Sequence, residues 1–248
     1  MGTMKITIAD TYAAMSQQAA EELAELLKEK EHPLLCTASG DSPAGLYNEL
    51  VRLHRQNIID ATTWYFAGLD EWVGKSGRDE GSCRYYLDQQ LYRPLNIPVD
   101  RISFFDGHSS NLQDECRQME TFLQLHEPIE AAVVGLGMNG HIGFNEPGIS
   151  PSLTTHIANL DKTTIETGQK YFKEQQQLAQ GITIGLATLM EAKHVFLLVS
   201  GAHKADIVQK ALEGPVTENL PATLLRHHPN LHVYLDREAA QLLSTQKQ

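Results

Sequence analysis

The 248-residue chain is poor in cysteine, in cations and in long apolar runs. Its three cysteines, Cys36, Cys83 and Cys116, are odd in number, far apart and in no C-x-x-C pair. That spacing supports neither a disulfide framework nor a zinc site, and a reducing cytoplasm fits. Only 20 Lys and Arg stand against 31 Asp and Glu, a formal net charge of −11. Nucleic acid, which is held by clustered cations, is not an expected partner. A few local lysines and backbone amides can still hold one phosphate. No apolar stretch approaches the ~18–20 residues of a membrane span, so no membrane partner is expected. The start, MGTMKITIAD, lacks the apolar centre of a signal peptide, and Ile6 breaks the myristoylation pattern. No repeat, low-complexity segment or linker divides the chain. With 42% hydrophobic residues, one domain over residues 1–248 is expected.

What is present is an alternation of periods. β-like runs at 5–9, 34–37, 62–67, 102–105, 131–135, 194–200 and 231–235 are interleaved with helical patterns. The helical patterns cover 11–30, 42–54, 83–92, 111–126, a stretch opening at 201, 220–227 and 238–244. Asp10 is placed to cap the first helix, and Ser42-Pro43 reads as the N-cap and first residue of the second. The alternation implies an α/β fold, a three-layer α/β/α sandwich with a mainly parallel, Rossmann-like sheet. Residues 161–180 are polar, read as helix or loop, and do not look like core. Trp64 reads as core and Trp72 as cleft wall. His227 and His228 read as surface residues at a helix end.

Chemistry concentrates at 131–148, AAVVGLGMNGHIGFNEPG. A buried strand ends in Gly135, Gly137 and Gly140, which permit tight turns and a close approach of backbone N–H groups to a ligand. Asn139, His141, Asn145 and Glu146 follow. An open α/β sheet places its chemistry at such a strand end; on spacing alone, a Gly-rich connection with a surface His reads equally well. Three further stretches stand out. The loop ASGDSPAG leads from a strand into a helix N-terminus, either an anion cradle or a plain turn. Asp70 and Glu71 sit beyond a strand end and point to opposite sides, so one can face a cleft. Lys204, in the first turn of a helix, is unfavourable against the dipole unless an anion is present.

The thirteen residues GLGMNGHIGFNEP resemble the signature G-x-G-x-[DN]-G-H-x-x-[FL]-N-E-P of the glucosamine-6-phosphate deaminase / galactosamine-6-phosphate isomerase family. LDEW matches that family's [ML]-D-E-[YW], and the likeness runs from about residue 6 to 235. The resemblance implies a 2-amino-2-deoxyhexose 6-phosphate substrate, opened, isomerised through an enediol-type species and deaminated, with no metal, nicotinamide or flavin. It makes Asp70 the proton-transferring acid, His141 the ring-opening group, Glu146 its orienting partner and Glu71 a supporting residue. Ser39, Gly40, Asp41, Ser42 and Lys204 fall at its phosphate-binding positions, and Gly137 at a substrate-binding one. Lys170 stands where the family often has Arg, which keeps the charge but loses the two-pronged geometry.

Asn139 departs from the Asp common in the deaminases. A neutral amide can hold the His141 ring but cannot stabilise an imidazolium as a carboxylate does. This Asn, Gly148 and the following SLTTHI lean toward the galactosamine branch. His156 and Ala158 replace an Arg and a Lys that form an effector site in some members, so no such activation is expected. Rival readings are a 6-phosphogluconolactonase-like hydrolase and a non-catalytic sugar-phosphate sensor. The first lacks the F-N-E-P continuation and the LDEW strand end; the second normally follows a basic helix-turn-helix. Epimer preference and a homo-oligomeric state stay open.

Overall fold

The structure is a computed structural model, and it describes residues 3–244. Its strands are β1 (Thr3–Ala9), β2 (Leu34–Thr37), β3 (Tyr65–Gly68), β4 (Asp70–Trp72), β5 (Ile102–Ser103), β6 (Ile129–Gly135), β7 (His156–Asn159), β8 (Gln180–Thr183), β9 (His194–Val199) and β10 (Asn230–Asp236). The helices are α1 (Tyr12–Leu27), α2 (Asp41–Arg55), α3 (Cys83–Leu87), α4 (Leu112–His126), α5 (Lys162–Gly168), α6 (Leu186–Met190), α7 (Ala205–Glu213) and α8 (Arg237–Ala240). Seven strands form one sheet in the order β1-β10-β9-β6-β2-β3-β5. All its pairings are parallel. A small antiparallel sheet, β4-β8-β7, lies apart from it.

Side-chain alternation along the strands divides the core in two. Leu35, Ala131, Val133, Phe196 and Leu198 face one layer with Met15, Leu23 and Leu27 of α1 and Leu46 and Leu50 of α2. Cys36, Ala132, Val134, Leu197 and Val199 face the other with Met119 and Leu123 of α4 and Val208 and Ala211 of α7. Each fully buried Leu, Val or Phe contributes roughly 1.5–3 kcal/mol of transfer free energy, which makes a sheet buried on both faces the natural state of these runs.

The sheet topology places the site. From β2 the chain crosses through α2 to β3 on one side, whereas from β6 it goes on to β9 on the other. The crevice beyond the carboxyl ends of β2 and β6 is therefore the point where the winding direction reverses, where open α/β sheets bind ligands.

Several element ends differ from the sequence expectation. Thr11, not Asp10, caps α1, its hydroxyl accepting from the Ala14 N–H at 3.1 Å. The second helix begins at Asp41 rather than behind a Ser42 cap: Gly40, at φ +122°, turns the chain early and no side chain caps it. Residues 62–67 split into a 3-10 turn, Ala61–Thr63, and β3. The helix expected over 83–92 is α3 followed by a π-helical turn, Asp88–Tyr92. Lys204 ends a 3-10 turn, Ala202–Lys204, and is the residue before α7 rather than inside it. Segment 161–180 does contribute to the interior, with Thr164, Gly168 and Leu178 buried. His228 is fully buried; its Nε2 meets the Ala192 carbonyl at 2.8 Å and its Nδ1 accepts from Asn230 N–H at 3.1 Å. No helix among the described residues is long and apolar enough to cross a membrane.

Candidate active site

The loops after β2, β3, β6 and β9 wall a cleft of ≈ 580 Å³. Nearly every residue singled out from the sequence lines it: Ser39, Gly40, Asp41, Ser42, Asp70, Gly137, His141, Lys170 and Lys204 do. Glu71, Asn139 and Glu146 lie behind these as partners.

On the β3 side, the chain leaves the large sheet at Gly68 and enters β4 at Asp70. Pairing of Asp70 with Thr183 and Trp72 with Gly181 in the antiparallel sheet fixes the direction of the acid. Burial pushes the Asp70 carboxyl up to about 6, against the charge of His141 and a hydrogen bond from Cys83. Glu71 points the other way and is fully buried. Its carboxyl accepts from the N–H groups of Trp72, Cys83 and Arg84 at 2.9, 3.0 and 3.0 Å, tying β4 to the N-terminus of α3. Burial pushes Glu71 up to about 8 despite those donors.

The β6 loop carries the imidazole. The His141 ring lies on Gly137, where an added Cβ would stand 2.4 Å from ring atoms Cδ2 and Nε2; only glycine leaves room. Nδ1 meets the Thr164 hydroxyl at 2.9 Å and Glu146 Oε2 at 3.5 Å. Asn139 does not hold the ring, contrary to expectation. Its amide nitrogen donates to Glu146 Oε2 at 2.8 Å, and its oxygen accepts from the His141 backbone N–H at 3.2 Å. The two-residue offset lets the side chain reach its own loop's backbone, which leaves the ring nitrogen to a partner from α5. Burial pushes the Glu146 carboxyl up, but hydrogen bonding and charge from His141, with Thr164 and Asn139 behind, hold it below its ordinary value. Asn145 faces inward. It donates to Ile142 and Ile184 carbonyls at 2.8 and 2.9 Å and accepts from Leu186 N–H at 3.2 Å, clamping the loop.

At the opposite side of the cleft, the β2 loop and the β9 loop meet through Ser42 and Ser200 hydroxyls, 3.3 Å apart. Lys204 Nζ donates to the Leu136 carbonyl at 2.6 Å. Burial, then the charge of Lys170, lowers it to about 8. A cation desolvated in this way gains from an incoming anion. Lys170 is half exposed and pairs with the exposed Asp41 at 2.6 Å. Asp41 therefore offers an anion only its backbone N–H, while its carboxylate occupies the lysine.

Thr164, Cys83 and Ser200 were not legible beforehand. The one signal for Thr164 was Asp161 opening a short helix, whose carboxylate accepts from Thr163 N–H at 2.8 Å.

The family model described as glucosamine-6-phosphate isomerases/6-phosphogluconolactonase matches residues 7–233. The chain belongs to this family of enzymes. It is 38% identical over 245 residues to the glucosamine-6-phosphate deaminase of Geobacillus sp. (strain WCH70), covering 98% of each chain. The Clostridium perfringens (strain 13 / Type A) glucosamine-6-phosphate deaminase is 35% identical over 241 residues, covering 97% of this chain and 100% of that one. Among solved structures, a monomeric glucosamine-6-phosphate deaminase superposes with a TM-score of 0.92 at 34% identity, over 96% of this chain and 100% of that one. The 6-phosphogluconolactonase of Trypanosoma brucei, at 19% identity and a TM-score of 0.78 over 98% and 100% of the two chains, shares the fold.

Proposed function

We propose that the cleft converts a 2-amino-2-deoxyhexose 6-phosphate, glucosamine 6-phosphate foremost, and water to the ketohexose 6-phosphate and ammonia. The observation that carries this reading is the meeting, at one switch-point cleft, of the buried Asp70 carboxyl held near 6 with an imidazole in its field and a desolvated lysine. In this reading Lys204, the N–H groups of Ser39 to Ser42 and the mobile charge of Lys170 take the phosphate. His141 passes a proton to the ring oxygen as the sugar opens. Asp70 removes the proton from C2 and returns it to C1, so that the C2 amine becomes an imine. Water adds to the imine carbon, the C–N bond breaks, and ammonia leaves with the carbonyl oxygen retained from water. Glu146 balances the imidazolium, Glu71 braces the strand that presents Asp70, and Asn139 holds Glu146.

The relatives' names support the gluco epimer, whereas Asn139, Gly148 and the SLTTHI run motivate the galacto one. Ammonia release from each 6-phosphate separately decides between them. Release from glucosamine 6-phosphate, lost in Asp70→Asn, is expected. Hydrolysis of 6-phosphogluconolactone with no ammonia from either amino sugar would replace this reading with the lactonase one.

A further inference from the structure

We propose that the Asp41 carboxylate is an internal competitor of the substrate phosphate, holding Lys170 in the free enzyme and yielding it when the anion arrives. This rests on the reading of the phosphate end of the cleft given above. Asp41 is the first residue of α2, directly after the turn at Gly40. Its carboxylate pairs with Lys170 Nζ at 2.6 Å, and both residues line the cleft.

Two positive features meet at this end of the cleft, the lysine and the N-terminus of a 15-residue helix. An incoming phosphate and the Asp41 carboxylate gain from the same two features, and as like charges they repel, so each weakens the hold of the other. The remaining acids of the cleft wall are placed differently: Asp70 belongs to β4, and Glu166 lies 3.7 Å from Lys162. Among the described residues, Asp41 is the acid that pairs with a lysine of the cleft wall.

The side chain is the movable part of this contact. The Asp41 backbone is pinned, its carbonyl accepting from the Tyr12 hydroxyl at 2.6 Å while that hydroxyl accepts from Gly45 N–H at 2.6 Å. The Asp41 side chain is 74% exposed, so water takes up the carboxylate once it turns away. Lys170 keeps a second hold meanwhile, with Nζ 4.9 Å from the centre of the Tyr171 ring. An exposed pair of this kind is weak, and it changes affinity by a small factor rather than blocking the site. Substrate and product carry the same 6-phosphate, so the carboxylate weakens both alike and returns to Lys170 as the product leaves. Affinity lost equally in ground state and transition state raises KM and leaves kcat untouched.

The test compares Asp41→Asn, which removes the charge, with Asp41→Glu, which keeps it. Binding of inorganic phosphate to the ligand-free proteins is read from the rise of Tm with phosphate, at an ionic strength held constant with sodium chloride. At about 0.05 M ionic strength, Asp41→Asn should bind phosphate about two- to fivefold more tightly than wild type. At about 0.5 M the gain should shrink below about 1.5-fold, because an exposed pair is screened. Asp41→Glu should stay within about 1.5-fold of wild type at both. With glucosamine 6-phosphate, Asp41→Asn should lower KM by a similar factor without raising kcat. Unchanged or weaker phosphate binding by Asp41→Asn would overturn the proposal, because Asp41 would then only be holding Lys170 in place. So would a gain that salt leaves intact, an equal gain in Asp41→Glu, or no phosphate binding by any of the three proteins. If wild type releases no ammonia, the functional reading fails while the phosphate titration still decides the role of Asp41.

Discussion

Replacing Gly137 by Ala tests the site geometry at its tightest point. The new Cβ would stand 2.4 Å from Cδ2 and Nε2 of His141 and 2.6 Å from Cγ, where ordinary contact begins at 3.4 Å. One side must therefore give by about 1 Å. The ring borders the cleft, so it has open space to move into, and the backbone at Gly137 is under no left-handed constraint. Displacement of that size breaks the 2.9 Å contact between Nδ1 and Thr164. Losing one such bond costs roughly 0.5–1.5 kcal/mol, and a ring that refused to move would instead add ~1–3 kcal/mol of overpacking. At about 2–4 °C per kcal/mol for a chain of this size, Tm falls by only a few degrees. Activity is hit harder, because a group misplaced by ~1 Å costs on the order of 10²-fold. Ammonia release and a thermal melt on the same preparation read both numbers. Gly135→Ala, whose Cβ meets nothing within 4 Å, is the folding control and should raise Tm by about 1–4 °C. A Gly137→Ala enzyme with kcat within about twofold of wild type would refute the placement of the ring.

Two pH effects follow from the titrating groups. Asp70 must be ionised to take a proton, and burial holds it near 6, so kcat/KM should fall about tenfold per unit as pH drops below about 6. Because the substrate phosphate titrates in the same range, a carboxyl carbon-13 titration of the ligand-free enzyme is the deciding measurement; an Asp70 midpoint near 4 counts against the argument. Burial lowers His228 below its ordinary 6.5. The unfolded chain therefore binds a proton that the native one refuses, and stability drops as pH falls through about 6.5 toward the folded value. His228→Gln should lose less Tm than wild type between pH 7.5 and 5; equal losses would exonerate this residue.

How much was legible in the sequence depended on how local the deciding contact was. The strand runs, the Gly-rich loop and the two acids of LDEW are local signals, and the structure places them at one sheet edge as their order implied. Helix starts were missed by one or two residues because a competing local acceptor or turn won, Thr11 over Asp10 and Gly40 over Ser42. His228 read as surface because it follows the exposed His227, yet the strand β10 begins just beyond it and pulls it inward onto the Ala192 carbonyl. Segment 161–180 is polar throughout most of its length, and polarity alone does not distinguish a solvated turn from one that turns a hydroxyl toward a histidine.

The protonation pattern of the site is the part that no local reading could supply. Asp70 and Glu146 are both carboxyls that the sequence presents in much the same way, each in a short polar run after a buried strand. Their environments separate them. Asp70 is buried with little to satisfy its charge and rises to about 6, whereas Glu146 is held below its ordinary value by the imidazole, the Thr164 hydroxyl and the Asn139 amide. Titrating groups driven apart in this way are what lets one site run acid and base chemistry together. The separation comes from burial at Asp70, and at Glu146 from His141 and Asn139 of its own loop together with Thr164, which α5 brings from further along the chain. Asn139 fits the same logic. A second carboxylate at that position would face Glu146 and Asp161 as a like charge, at the 2.8 and 3.3 Å over which the amide now donates to both. The amide thus lets Glu146 stay ionised beside the ring without a rival charge, and it leaves the ring nitrogen to Thr164.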